Sequence, residues 1–209
     1  MANEASRAAY SRRATEYIEL LGSMSSVHPS DLRIVSTWAS GVDGDLIDAG
    51  CGPGHWTNFL AQRGSTIRGI DQVPEFVGHA GEAFPGVDFA VGNLDSVDAA
   101  TGSVGGILSW YSLIHYEPRT IQRPLREFSR ALRPGGALLV GFFEGTSVEE
   151  FAHAVTPAYR WSVDAFSAEL DNAGFDVFES HVRKTVGERS QATVSAVSRG
   201  QWSRLSESN

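Results

Sequence analysis

Between residues 45 and 143 the chain alternates apolar runs of strand length with stretches whose apolar residues recur at helical spacing. That order constrains the fold more than any other feature. Parallel strands need crossovers long enough to hold a helix, so such a text reads as successive βαβ units. The strands read as Leu46 to Ala49, Thr66 to Ile70 closing on Asp71, Val87 to Val91, Gly105 to Ser109, and Ala137 to Phe143. Helices are expected through Phe59, Leu60 and Ala61, over Pro74 to Ala83, and over 120–132, where Ile121, Leu125, Phe128 and Leu132 share one face. Pro134, Gly135 and Gly136 stop the last of these. The fold class is therefore α/β, a doubly wound sheet that is mostly parallel, with helices on both faces.

Outside this core, residues 4 to 22 place Ala8, Tyr10, Ala14, Tyr17, Ile18 and Leu21 on one side of an amphipathic helix. Pro29, Ser30 and Asp31 form a turn with N-cap chemistry ahead of a second helix that ends near Gly41. The segment 146–163 reads as irregular or partly helical, Val163 to Ala173 as a helix ended by Gly174, and 175–183 with 191–198 as a closing hairpin. The 209 residues suit one domain: a helical cap over 1–44, a core over 45–143, an acceptor-side segment and hairpin over 144–199, and a polar tail over 200–209.

Seventeen basic against twenty-five acidic side chains give a net charge of −8, which opposes a phosphate backbone as partner. Cys51 is the one cysteine, too few for an intramolecular disulfide or a thiolate zinc site, and points to a reducing compartment. No apolar run reaches the roughly 20 residues that span a bilayer, and Met1 to Tyr10 lacks the apolar core of a secretory signal. A soluble cytoplasmic protein without membrane or nucleic-acid partners is expected, with monomer and homodimer both open.

The chemistry is concentrated in Leu46-Ile47-Asp48-Ala49-Gly50-Cys51-Gly52-Pro53-Gly54. A strand ends on a carboxylate and turns through three glycines into a helix, so the backbone approaches a ligand more closely than any Cβ would allow. A dinucleotide site uses G-x-G-x-x-G, with the third glycine three positions past the second. Here the register is G-x-G-x-G and position 55 is His. That argues against a nicotinamide-dependent oxidoreductase.

In this register the chain resembles the class I S-adenosylmethionine-dependent methyltransferases, and among them small bacterial enzymes of unspecified small-molecule substrate. The resemblance covers about 46–143 and includes Leu132-Arg133-Pro134-Gly135-Gly136 before the fifth strand. It implies a seven-stranded sheet closed by the antiparallel hairpin. It also implies that Asp48, Gly50, Cys51, Gly52 and Gly54 form the cofactor's amino acid and ribose site, and that Asp71 accepts from the ribose hydroxyls with Gln72 beside it. Asn93 and Leu94 would hold the adenine, although the family commonly has Asp where Asn93 stands; Asp95 is a nearby substitute. Ser109 and Trp110 would flank the cofactor, and Tyr10 would close over it.

The same resemblance turns Ser109 to Tyr116 toward the methyl group, where Tyr111 and His115 are the side chains able to orient or deprotonate an acceptor. Two readings of His115 stand, a general base with a pKa near neutrality or a crevice-lining group held by a backbone hydrogen bond. Cys51 reads better as a small apolar filler than as a nucleophile. The implied reaction is in-line displacement of a sulfonium methyl by an oxygen, nitrogen or carbon nucleophile, with proximity able to supply about 7–11 kcal/mol. A non-catalytic S-adenosylmethionine-binding module on the same fold is the alternative.

Overall fold

The computed structural model describes residues 2–200. Its core strands are β1 (Leu46–Ala49), β2 (Ile67–Asp71), β3 (Asp88–Val91), β4 (Val104–Trp110) and β5 (Leu132–Glu144). They run parallel in the order β3-β2-β1-β4-β5. Side chains alternate across this sheet as a pleat requires. Leu46, Leu108 and Leu139 face α3 (Pro29–Ser40) and α4 (His55–Ala61), while Ile47, Ile107 and Leu138 face α6 (Gln122–Ala131) and α7 (Val163–Asn172). The doubly wound architecture follows from those two buried faces.

Beyond β5 the sheet turns antiparallel. β9 (Gln191–Ser198) pairs with β5 from Ala137↔Val197 to Phe143↔Gln191, and β8 (Phe175–Arg183) pairs with β9. Two further strands, β6 (Glu149–Phe151) and β7 (Ala158–Trp161), bring the sheet to nine strands among the described residues, where seven were expected. They occupy the segment read from sequence as irregular or partly helical. The cause is a length mismatch: β4 pairs with β5 only as far as Trp110↔Gly141, and β5 runs on. Phe143 then pairs with Gln191 on one edge and Arg160 on the other, so β7 takes the edge that β4 leaves.

β5 also starts earlier than expected. Leu132 pairs with Val104 and Ala137 with Gly106, so residues 133–136 loop out of register instead of preceding the strand. At the N-terminus the single expected helix is two, α1 (Ala2–Arg12) and α2 (Ala14–Leu21), because Arg13 leaves helical geometry at φ −116°, ψ 17°. Its guanidinium hydrogen-bonds the Ala154 carbonyl and Glu16 instead. Tyr10, Tyr17 and Ile18 pack with Val73 and Phe76, which seats both helices on α5 (Pro74–Ala83) at the C-terminal end of β2. α3 begins at Pro29 with His28 as its cap, the Nδ1 accepting from the Ser30 amide.

Candidate active site

Ligands of doubly wound sheets bind outside the carboxyl ends of the strands, and both cavities of interest lie there. One of about 510 Å³ opens between the ends of β1, β4 and β5 and the N-terminal helices; one of about 80 Å³ lies beside it over Asp71. They share Tyr10, Tyr17, Gly50, Gly52, Trp110 and Tyr111.

The floor is built by the loop after β1. Gly50 has φ +84°, and a Cβ there would overlap that of Ser112. Gly52 has φ +53°, but a Cβ on it would meet nothing within 4 Å. Gly52 lines both cavities, so this open space belongs to the crevice. Gly54, by contrast, faces Ala80 and Phe89, which a Cβ would meet at 2.8 Å; it packs the start of α4 and lines neither cavity.

Two carboxylates flank this floor. Asp71, 8% exposed, accepts from the Gly52 amide through Oδ2 and from the Val73 amide through Oδ1, both at 2.9 Å. Burial raises its pKa, and hydrogen bonds from the Val73, Gly52 and Gln72 amides oppose the rise. Asp48, 1% exposed, accepts from the Thr57 hydroxyl at 2.7 Å. Burial pushes its carboxyl up to about 7 against that bond, with the charge of Asp71 adding to the rise. Among the described residues neither has a cationic side chain at ion-pair distance. Cys51 is buried, its thiol pKa raised by burial, and its sulfur lies close against Gly69. Its contacts are those of a filler.

The structure brings Asp48, Gly50, Cys51, Gly52, Asp71, Gln72, Leu94, Trp110 and Tyr10 to the two cavities, and it leaves three expected contacts outside: Gly54, Asn93 and Ser109. Asn93 is exposed, and its Oδ1 accepts from the Asp95 amide in a local turn, so the side chain is spent on its own loop. Asp95 in turn accepts from the Tyr116 hydroxyl. Ser109 is fully buried and hydrogen-bonds Ser112 at 2.7 Å beneath the crevice wall.

The two side chains expected to act on an acceptor are engaged elsewhere. The Pro157 carbonyl can only accept, so His115 Nδ1 carries a proton and donates to it at 2.8 Å. In the neutral ring Nε2 then accepts from the Tyr10 hydroxyl, also at 2.8 Å, and burial keeps the ring neutral by lowering its pKa. The lone pair that a general base needs is taken. Tyr111 donates its hydroxyl to Gln191 Oε1 at 2.6 Å, and burial raises its pKa. It is the one described non-glycine residue at positive φ, +56°, a conformation tolerated only where the surroundings impose it.

Arg183 and Gln191, which the motifs did not flag, join this wall. The β8–β9 register sets them opposite each other, and Arg183 Nη2 donates to both Gln191 Oε1 and, at 2.8 Å, Asp31 Oδ2. The hairpin expected from sequence already carried that pairing. His55 and His153 also line the larger cavity, each pushed down to about 4 chiefly by burial.

Open space over a glycine turn, between two buried carboxylates that lack cationic partners, suits a ligand with ribose hydroxyls and a cationic amino acid end. Residues 46–136 match the family model described as "Methyltransferase domain". A probable S-adenosylmethionine-dependent methyltransferase of Mycolicibacterium smegmatis is 30% identical over 96 residues, 46% of this chain and 37% of that one. The 2-heptyl-1-hydroxyquinolin-4(1H)-one methyltransferase of Mycobacteroides abscessus is 28% identical over 177 residues, 77% of this chain and 78% of the relative. In structure, the Burkholderia thailandensis 1,6-didemethyltoxoflavin-N1-methyltransferase, solved with 1,6-didemethyltoxoflavin and S-adenosylhomocysteine, superposes with a TM-score of 0.76 at 17% identity. That match covers 95% of this chain and 91% of the neighbour, and it shows the shared fold.

Proposed function

We propose that the chain transfers a methyl group from S-adenosylmethionine to a small-molecule acceptor bound in the larger cavity. The observation that carries this reading is the pair of buried carboxylates, Asp48 and Asp71, on either side of the open space at Gly52. When bound, S-adenosylmethionine supplies a sulfonium-activated methyl that an acceptor nucleophile displaces in line, leaving S-adenosylhomocysteine.

Asp71, its two oxygens fixed by the Gly52 and Val73 amides, keeps lone pairs for ribose hydroxyls. Ionised Asp48 balances the cationic amino acid end. Gln72 and Leu94 belong to the adenine side, through backbone and apolar contact in place of the Asn93 side chain. Tyr10, tied to His115, holds α1 across the crevice and limits water. Trp110 and Tyr111 form the wall between cofactor and acceptor. With the His115 lone pair occupied and Tyr111 held as a phenol, this assignment rests the chemistry on proximity and alignment. Such a site suits an acceptor whose nucleophile needs no protein base, a ring nitrogen or an acidic hydroxyl.

The acidic surface charge supports a small acceptor over a nucleic acid, and the single cysteine supports a cytoplasmic setting. No described helix is long and apolar enough to cross a membrane. The test is incubation with methyl-labelled S-adenosylmethionine and a panel of hydroxylated and nitrogen-containing heteroaromatics. Label should pass to at least one acceptor with equal release of S-adenosylhomocysteine. Tight cofactor binding without transfer to any member would instead favour a non-catalytic binding module.

A further inference from the structure

Gln191 is held by two donors on the same atom. Tyr111 Oη and Arg183 Nη2 both give their protons to its Oε1. A guanidinium has no acceptor, so turning the amide over would set its NH₂ against Arg183, and the orientation is fixed by chemistry. The Nε2 group is thereby left over. Among the described residues it has no hydrogen-bond partner, yet it is absent from the buried unpaired atoms, and Gln191 lines the larger cavity. It offers donor protons to whatever fills that space. A second unpaired donor, Arg183 Nε, is buried in the same wall.

The charges nearby decide what kind of oxygen this edge would take. Arg183 pairs with Asp31 at 2.8 Å and with Glu188 at 3.6 Å, and all three line the cavity. One guanidinium against two carboxylates leaves this wall short of positive charge, so an anionic oxygen is disfavoured and a neutral carbonyl is not. Aromatic rings stand beside this edge. Tyr111 lies 5.6 Å from Trp110 and 5.1 Å from Phe143 between ring centroids, and Phe143 lies 6.0 Å from His153. Flat faces beside the donor edge of Gln191 suit a planar ring that carries an acceptor atom at its rim.

We propose that Gln191 is a specificity-determining residue that anchors a neutral ring carbonyl of the acceptor, so that the preferred substrates are planar heteroaromatics bearing such a carbonyl, not their carboxylate counterparts. This rests on the methyltransferase reading of the site. The strain at Tyr111 belongs to the same device, because its hydroxyl is one of the two donors that aim the amide.

The test uses calorimetric binding to the full chain saturated with S-adenosylhomocysteine, with three probes on one scaffold: 3-hydroxyquinolin-4(1H)-one, 3-hydroxyquinoline and 3-hydroxyquinoline-4-carboxylate. The carbonyl probe should bind about tenfold more tightly than either other, the worth of roughly one hydrogen bond. Gln191→Glu keeps an oxygen for Tyr111 and Arg183 and replaces the donor edge by a second acceptor, so the preference should vanish while S-adenosylhomocysteine still binds. Gln191→Leu should erase it too, and a thermal melt of each variant reports folding. Equal binding of the three probes, no binding of any, or a carbonyl preference that survives both substitutions would overturn the proposal. Failure of S-adenosylhomocysteine to bind the native chain would overturn the methyltransferase reading instead.

Discussion

The two ends of the crevice are held together by different means. The floor is made of backbone: Gly50 and Cys51 amides donate to the Ile70 carbonyl, and the Gly52 and Val73 amides converge on Asp71. Everything in it comes from residues 46–73, two adjacent strands and the turns that follow them. The far wall is made of side chains, Tyr111, Arg183, Gln191 and Asp31, drawn from a loop, the two strands of the terminal hairpin and α3. A backbone site is intolerant of a Cβ and indifferent to most side chains, whereas a side-chain wall can be rewritten without touching the fold. Under the proposed assignment, cofactor recognition can stay constant while the acceptor end varies.

The sharpest way to break this contrast is at Gly50. Gly50→Ala imposes a Cβ at φ +84° and an overlap with Ser112. Backbone strain and overpacking cost about 1–3 kcal/mol each, and chemical denaturation should show the sum. Gly52→Ala should lose only about 1–2 kcal/mol of stability, because its Cβ meets nothing, yet weaken S-adenosylhomocysteine binding by filling the ligand's space. Equal stability losses for the two variants would contradict the division drawn here.

Asp71→Ala ranks next. It should weaken S-adenosylhomocysteine binding by about tenfold or more, as loss of hydrogen bonds to two ribose hydroxyls implies. The variant should also melt lower, because two backbone amides lose their acceptor at about 1–3 kcal/mol per orphaned group. Asp71→Asn keeps one carbonyl oxygen and should fall between the two.

The Asp48 carboxyl predicts a pH dependence. With its pKa raised to about 7, the free protein holds it protonated below that pH and ionised above. A cationic ligand end favours the ionised form, so affinity for S-adenosylmethionine should fall by roughly tenfold per unit as pH drops below about 7 and level off above it. Asp48→Asn should flatten the profile. For the unliganded fold the sign is reversed: a raised carboxyl pKa costs stability as pH climbs from the ordinary carboxylate range to about 7.

At the wall the effect is smaller. Tyr111→Phe removes one donor to Gln191 and should lower stability by about 0.5–1.5 kcal/mol. It should raise the acceptor KM while leaving the dissociation constant of S-adenosylhomocysteine unchanged. A matching change in cofactor affinity would mean that the two ends are coupled.

How much of this was legible in the chain follows the same division. α5 spans Pro74–Ala83 as its apolar spacing and leading proline announced, and the hairpin strands end at the residues expected, because these are local patterns. The glycine turn was equally readable, since a positive φ and a close approach each require a particular residue at a particular place. The break at Arg13 was not, for no glycine or proline marks it and one partner of its guanidinium, the Ala154 carbonyl, lies 141 residues on. Nor were β6 and β7, three and four residues long, which exist because β5 outruns β4. At Asn93 and His115 a motif shows which atoms a residue has, not which neighbours use them: Asn93 Oδ1 takes the Asp95 amide, and His115 makes the backbone hydrogen bond that was one of its two readings. Asp31 and Arg183, 152 residues apart, meet only in the folded chain.

The most direct test of the central claim is calorimetric titration of the full chain at pH 8 with S-adenosylhomocysteine, with NAD and NADP titrated in parallel. The account predicts micromolar binding of S-adenosylhomocysteine at one site per chain and no heat of binding from either nicotinamide. Absence of S-adenosylhomocysteine binding, or a preference for a nicotinamide, would contradict it.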